Sequence, residues 1–110
     1  MLRGEPQAIR LAQVDDEQAA LEPAREAVDI YRRLSEAEPA AYLPDLALSL
    51  LTTAGIQNAF GVELTEAATV VEEVIMIYRA LAEQIPEAFN GYLAAAEQVK
   101  IEILEQLSAP

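Results

Sequence analysis

The chain contains one sequence unit written twice, with a spacing of 47 residues. Residues 9–47 align with residues 56–94 without a gap, and 13 of these 39 positions are identical. The clearest shared run is Ile-Tyr-Arg, which begins at Ile30 in one unit and at Ile77 in the other. A period of about 20–50 residues is typical of stacked repeats that bury their core between neighbouring units. The repeat therefore predicts a short solenoid.

The composition favours one all-α domain over residues 1–110. Ala, Leu, Ile and Val make up most of the apolar residues, and only 5% of the chain is aromatic. Such a composition is typical of helices, and no segment alternates with the period of a strand. There is no cysteine, which excludes disulfides and thiolate zinc sites and leaves the redox compartment unconstrained.

The charge and hydropathy patterns restrict where the chain can work. The N-terminus lacks the apolar run of a signal peptide, and no stretch is long and apolar enough for a membrane span. We therefore expect a cytoplasmic protein. A net charge of −12 predicts no binding to nucleic acid or anionic membrane. The charge indicates a solvated helical surface, and the less favoured alternative is an acidic regulator that attracts a basic partner.

Two segments one repeat apart have the apolar spacing of amphipathic helices. Residues 16–37 predict one helix, in which Pro23 causes a kink or delays the start to about Glu22. Residues 63–84 predict the best-formed helix, because they contain no proline and follow a break at Gly61.

The N-terminus predicts a separate helical stub. Gln7–Val14 aligns with the end of a helix whose beginning is missing. Asp15 and Gln18 have the spacing of a capping box, which favours a new helix after the stub.

Prolines mark two tight corners at equivalent positions. Pro39 and Pro86 suit the first position of a helix, so a new helix is expected directly after each corner. The second of these helices is predicted over 86–107.

The segment after Pro39 contains two further helix breakers. We predict a short helical turn over 39–43 and a main helix over 44–54, interrupted at Gly55. Residues 56–60 continue this helix or form a distinct turn.

These residues support a resemblance to a known family. The run Glu26–Leu34, followed by Pro39–Ala47, resembles the long tetratricopeptide-type repeats of actinobacterial proteins. The resemblance implies an all-α solenoid of antiparallel helix hairpins, with about four main helices plus the N-terminal stub. It divides the chain into a partial repeat at 7–38, a repeat at 39–85 and a helix of a third repeat at 86–107. In the family, the first helix of each pair usually holds a peptide or protein segment.

The residue types predict no catalytic chemistry. Without histidine or cysteine, the chain lacks the commonest general base and thiol nucleophile, and no serine lies in a nucleophile-elbow motif. The acidic pairs and triplets are typical of solvated helix surfaces rather than of metal sites. We therefore expect no enzyme activity, no metal and no cofactor.

The shared Ile-Tyr-Arg run predicts structural roles for its tyrosine and for its arginine. Tyr31 and Tyr78 are expected to pack between paired helices with their hydroxyls at the rim. Arg32 and Arg79 each precede a glutamate by four residues, which favours an ion pair within each helix. A salt bridge between repeats is the alternative.

The predicted function is a non-enzymatic protein-protein interaction module or scaffold for an unidentified protein or peptide partner. The expected contacts are Tyr42, Asp45, Ser49 and Thr52, on the helix that would line the concave surface. The alternative is a fragment of a larger repeat protein that has no binding activity of its own. Such a fragment would self-associate through uncapped ends, as a homodimer or a marginal monomer.

Overall fold

The computed structural model describes residues 5–109, and it describes side-chain surroundings from residue 16 onward. This part of the chain contains four helices and no strand, so the prediction of an all-α hairpin repeat is confirmed. The helices are α1 (Glu5–Ala37), α2 (Pro39–Phe60), α3 (Leu64–Gln84) and α4 (Pro86–Ser108).

The two proline corners are confirmed. One non-helical residue, Glu38 or Ile85, precedes the proline that begins α2 or α4. The connection from α2 to α3 turns at Gly61, whose φ of 67° lies in the left-handed region that glycine adopts without a Cβ penalty. Val62 then donates its N–H to the carbonyl of Gln57, which closes the last turn of α2.

Each helix packs against the next along the chain, and α2 also contacts α4. In the described part of the chain, α1 and α3 do not come within backbone contact distance, so they flank α2 and are joined by side chains. The core lies between α2, α3 and α4, and apart from Tyr78 its members are alanines and branched aliphatic residues. It contains Leu46, Ala47, Leu50, Ala54, Ala67, Val71, Val74, Ile75, Tyr78, Ala96 and Ile103.

The predictions of a separate N-terminal stub and of a capping box were wrong. Residues 5–37 form one helix of 33 residues, and Asp15 lies inside it rather than at a helix start. Pro23 also lies inside α1. An interior proline leaves the carbonyl four residues earlier without its partner. Here that carbonyl belongs to Ala19, which is exposed, so water can hydrate it.

The predicted interruption of α2 was also wrong. This helix runs without a break through Pro44 and Gly55 to Phe60. Ala54 and Gln57 on either side of the glycine are fully buried, so packing against α3 overrides the weak helix propensity of glycine. The predicted bounds of α3 and α4 agree with the structure to within one residue.

Candidate functional site

Three of the four predicted contact residues line one shallow groove between α1 and α2. Asp45, Ser49 and Thr52 form its α2 side, and Tyr31 stands opposite on α1. The groove has a volume of 230 Å³. Its complete lining, called here the Tyr31 groove, is Ala24, Ala27, Tyr31, Asp45, Leu48, Ser49 and Thr52.

The polar side chains of the Tyr31 groove have different roles. Ser49 is buried, and its hydroxyl donates to the carbonyl of Leu46 at 2.9 Å. Thr52 is exposed, but its hydroxyl donates to the carbonyl of Leu48 at the same distance. Asp45 is exposed and makes no hydrogen bond or ion pair to another described residue. Its carboxylate is therefore the charged group that the groove offers to a ligand.

The fourth predicted residue, Tyr42, lies beside the groove rather than in its lining. Its ring centroid is 6.4 Å from that of Tyr31, at an interplanar angle of 33°. Both side chains are half-buried. The pair therefore forms an aromatic border at one end of the groove, within the range of favourable ring contacts.

A second groove runs along the other flank of α2. It has a volume of 310 Å³ and is lined by residues of α2, α3 and α4. Asp45 and Leu48 border both grooves, so they form a ridge between them. The lining of this Tyr78 groove is Pro44, Asp45, Leu48, Tyr78, Ala88, Phe89 and Tyr92.

Sequence reasoning missed the apolar members of this surface. Leu48 is 45% exposed and stands one turn from Asp45 and one turn from Thr52 on the same helix face. Tyr92 is equally exposed on α4. The spacing of three and four residues around Leu48 was a usable signal, because such positions share a helix face.

Tyr78 is buried in an aromatic stack. Its ring lies 6.2 Å from Phe89 and 5.4 Å from Tyr92, and the residue is 1% exposed. Burial raises the pKa of the Tyr78 hydroxyl to about 12, and the neighbouring Tyr92 adds to this effect. The prediction that both repeated tyrosines pack between paired helices is confirmed, and Tyr31 is the more accessible one.

The opposite side of the molecule carries salt bridges between α1 and α3. Arg32 binds Glu73 through two hydrogen bonds of 3.0 and 3.2 Å, so the ion pair predicted within α1 was wrong and the alternative between repeats is confirmed. Arg79 lies 3.7 Å from Glu97 on α4, not beside the glutamate of its own helix. The reason is geometric, since a neighbouring helix presents a carboxylate closer to each guanidinium.

A second cluster joins the same helices nearer the start of α3. Arg25 donates to Glu63 at 2.9 Å and to Glu66 at 3.1 Å, and Gln57 donates to Glu66 at 2.6 Å. Burial alone would raise the pKa of Glu66, but the hydrogen bonds from Arg25 and Gln57 outweigh it and lower that pKa. The other amide atom of Gln57, Oε1, is buried and accepts no hydrogen bond from the described residues.

The described residues contain no cluster of three or more His, Cys, Asp or Glu side chains that could hold a metal ion. None of the helices is both long enough and apolar enough to cross a membrane, over the same residues. No protein-family model, curated protein or solved structure matches this sequence.

Proposed function

We propose that this chain is a non-enzymatic protein-protein interaction module of the tetratricopeptide-like type. Its contact surface is the α2 ridge, defined as Tyr42, Asp45, Leu48 and Thr52, with the grooves on either side. The observation that carries the proposal is the arrangement around Asp45. An exposed carboxylate that pairs with no other described residue stands with an exposed leucine between two grooves bordered by aromatic rings.

The chemistry of the ridge indicates the class of ligand. Aromatic and aliphatic walls favour apolar side chains, and a single carboxylate favours one lysine or arginine between them. The net charge of −12 attracts basic segments over longer distances and raises their association rate. The ligand we propose is therefore a protein segment with a basic residue flanked by apolar ones.

Peptide selection followed by a charge reversal tests this function. Peptides would be selected from a random library against the unaltered chain, and their affinities measured by fluorescence anisotropy. We expect Asp45→Lys to weaken the selected peptides about tenfold or more, because it places a cation opposite the ligand cation. Its matched control is Glu105→Lys, which makes the same charge change at an exposed position of α4 outside both grooves.

The outcome separates specific binding from general electrostatics. Glu105→Lys should change affinity only slightly, and both variants should keep the helicity of the unaltered chain. Equal weakening by both variants would show that only net charge matters. A selection that yields no ligand above background would remove the proposal.

The alternative predicted from the sequence, self-association through uncapped ends, concerns a different surface. It is supported by large apolar side chains on the outer face of α4. Ile101 is 50% exposed, and Leu104 and Leu107 are each 44% exposed.

A further inference from the structure

The first helix pair, α1 and α2, carries a groove on the side away from the α2 ridge. Arg25 and Arg32 of α1 form one wall, and Leu50 and Thr53 of α2 lie beneath it. Helix α3 lies over this groove and contributes Glu66 and Val70 to its lining. We call it the covered groove, because it is the interface through which the second helix pair docks on the first.

The second helix pair, α3 and α4, carries the same groove 47 positions later. Five positions of the covered groove recur in its lining, as Glu72, Ile75, Arg79, Glu97 and Lys100 for Arg25, Val28, Arg32, Leu50 and Thr53. Ile101 and Leu104 complete this open groove, whose volume is 440 Å³.

The open groove has no covering helix among the described residues. Ala54 and Gln57, which α3 covers in the first pair, are fully buried. Their equivalents are Ile101 and Leu104, which are 50% and 44% exposed. The second pair therefore presents, uncovered, the surface that the first pair uses to bind a helix.

Helix α1 carries the matching face, and no described residue of another helix covers it. The α3 positions that cover the first groove are Glu66, Val70 and Glu73. Their equivalents in α1 are Ala19, Pro23 and Glu26, and all three are exposed. Ile30, the equivalent of the half-buried Ile77, is 51% exposed on the same helix.

The exposed face of α1 and the open groove have complementary side chains when α1 lies in the open groove as α3 lies in the covered groove. The pair Arg32 and Glu73 becomes Arg79 and Glu26, which keeps the salt bridge. The polar pair Gln57 and Glu66 becomes Leu104 and Ala19. Both members of that pair change together from polar to apolar, so neither would leave a buried polar group without a partner.

The contact equivalent to Arg25 and Glu63 loses its cation, and a lysine nearby replaces it. Arg25 is replaced by Glu72, and its partner Glu63 is replaced by Asp16, which would bring two carboxylates together. Lys100 stands in the place of Thr53 and lies 2.7 Å from Glu72. This lysine provides the cation that the site needs between the two acids.

We propose that molecules of this chain associate head to tail, with α1 of one molecule lying in the open groove of the next. The contact repeats the way in which α3 lies in the covered groove. Because the two surfaces differ, the interface is heterologous and leaves one free groove and one free α1 at the ends of every open chain of molecules. It predicts chains or rings, not a two-fold dimer, and it uses neither flank of the α2 ridge.

Two single substitutions, each at an exposed position, can block the two surfaces separately. Leu104→Lys blocks the groove and Ile30→Lys blocks the α1 face, and each variant keeps the other surface intact. Leu48→Lys is the matched control, since it replaces an equally exposed leucine on the α2 ridge. Circular dichroism of each variant should show unchanged helicity.

Analytical ultracentrifugation over a concentration series then tests the assembly. We expect the average mass of the unaltered chain and of Leu48→Lys to rise with concentration beyond two molecules. Leu104→Lys and Ile30→Lys should each remain monomeric alone, and their equimolar mixture should form a dimer through the one intact groove and the one intact α1 face.

Three results would overturn the proposal. Ile30→Lys that still dimerises alone would indicate a symmetric contact between two grooves. An unaltered chain that stays monomeric at all concentrations, or a mixture that stays monomeric, would show that the surfaces do not bind each other. None of these results bears on peptide binding at Asp45, which Asp45→Lys probes separately.

Discussion

The surroundings of Tyr31 and Tyr78 differ although the two residues occupy the same position in the two helix pairs. Each ring contacts one aromatic residue at nearly the same distance, Tyr42 at 6.4 Å and Phe89 at 6.2 Å. Only Tyr78 has a second ring, that of Tyr92, stacked at 5.4 Å. The equivalent of Tyr92 beside Tyr31 is Asp45. One substitution therefore turns a closed aromatic stack into an open, acidic groove.

Neighbouring helices enlarge this difference. Tyr78 is flanked by α4 and also borders Pro44 and Leu48 of α2, so it is 1% exposed. Tyr31 has only α2 beside it among the described elements and stays half-buried. A residue repeated for one structural reason can therefore be core in one unit and part of a surface in the other.

The largest expected effect is the loss of the Tyr78 ring. Tyr78→Ala should lower the free energy of unfolding by about 3–5 kcal/mol, because it leaves a cavity in a stack that cannot collapse easily. Tyr31→Ala should cost about 1–2 kcal/mol, since its ring buries less surface. Urea unfolding followed by circular dichroism measures both. Equal losses would show that the two sites are energetically alike and would contradict the comparison.

The second effect is a loss of stability in alkali through Tyr78. Its pKa is about 12 in the folded chain against 10.0 for an ordinary tyrosine, so the fold favours the neutral hydroxyl. The contribution of this hydroxyl to the free energy of unfolding is complete below pH 10 and is lost as the pH rises to about 12. It amounts to roughly 2–3 kcal/mol.

Urea unfolding at a series of pH values tests this assignment. Tyr78→Phe has no hydroxyl to ionise, so its free energy of unfolding should fall less steeply than that of the unaltered chain between pH 10 and 12. Parallel curves for the two proteins would indicate that other groups cause the alkaline loss.

The fold could be predicted wherever local and tertiary preferences agree. The apolar spacing of α3 and the prolines at 39 and 86 gave correct helix bounds, because each follows from chemistry within a few residues. The helix start predicted near Pro23 and the break predicted at Gly55 were wrong, because α1 and α2 run through these residues. Their helix penalties of about 1–3 kcal/mol are small beside the packing and solvation that the whole helix gains.

The candidate site was predictable only in part. The helix face of Asp45 followed from the repeat, and three of the four predicted residues meet in one groove. The hydroxyl of Ser49 donates to a carbonyl of its own helix because the residue is buried against α1. This burial could not be predicted from the sequence. The partners of Arg32 and Arg79 depend on distances between helices, and a spacing of four residues within a helix carries no information about them.

A third substitution, Gln57→Leu, makes the first helix pair resemble the second at a buried position. Gln57 is fully buried with an unsatisfied amide oxygen, and its equivalent is Leu104. Gln57→Leu should raise the free energy of unfolding by about 1 kcal/mol, because it removes that oxygen and keeps a similar volume. Glu66 retains Arg25 as a partner. Gln18→Leu, at an exposed position of α1, is the control, and a decrease for Gln57→Leu would show that the bond to Glu66 outweighs the unsatisfied oxygen.

The smallest expected change in stability tests the comparison most directly, because it converts the open groove into the closed stack. Asp45→Tyr should place a ring against Tyr31 as Tyr92 lies against Tyr78, and raise the free energy of unfolding by about 0.5–1 kcal/mol. The same ring would fill much of the 230 Å³ groove and remove its carboxylate, so selected peptides should no longer bind. Glu105→Tyr adds a ring outside the grooves and should change neither quantity. If Asp45→Tyr gained stability but kept its peptide affinity, the groove would not be the binding surface, and the contrast between the two tyrosines would be one of packing alone.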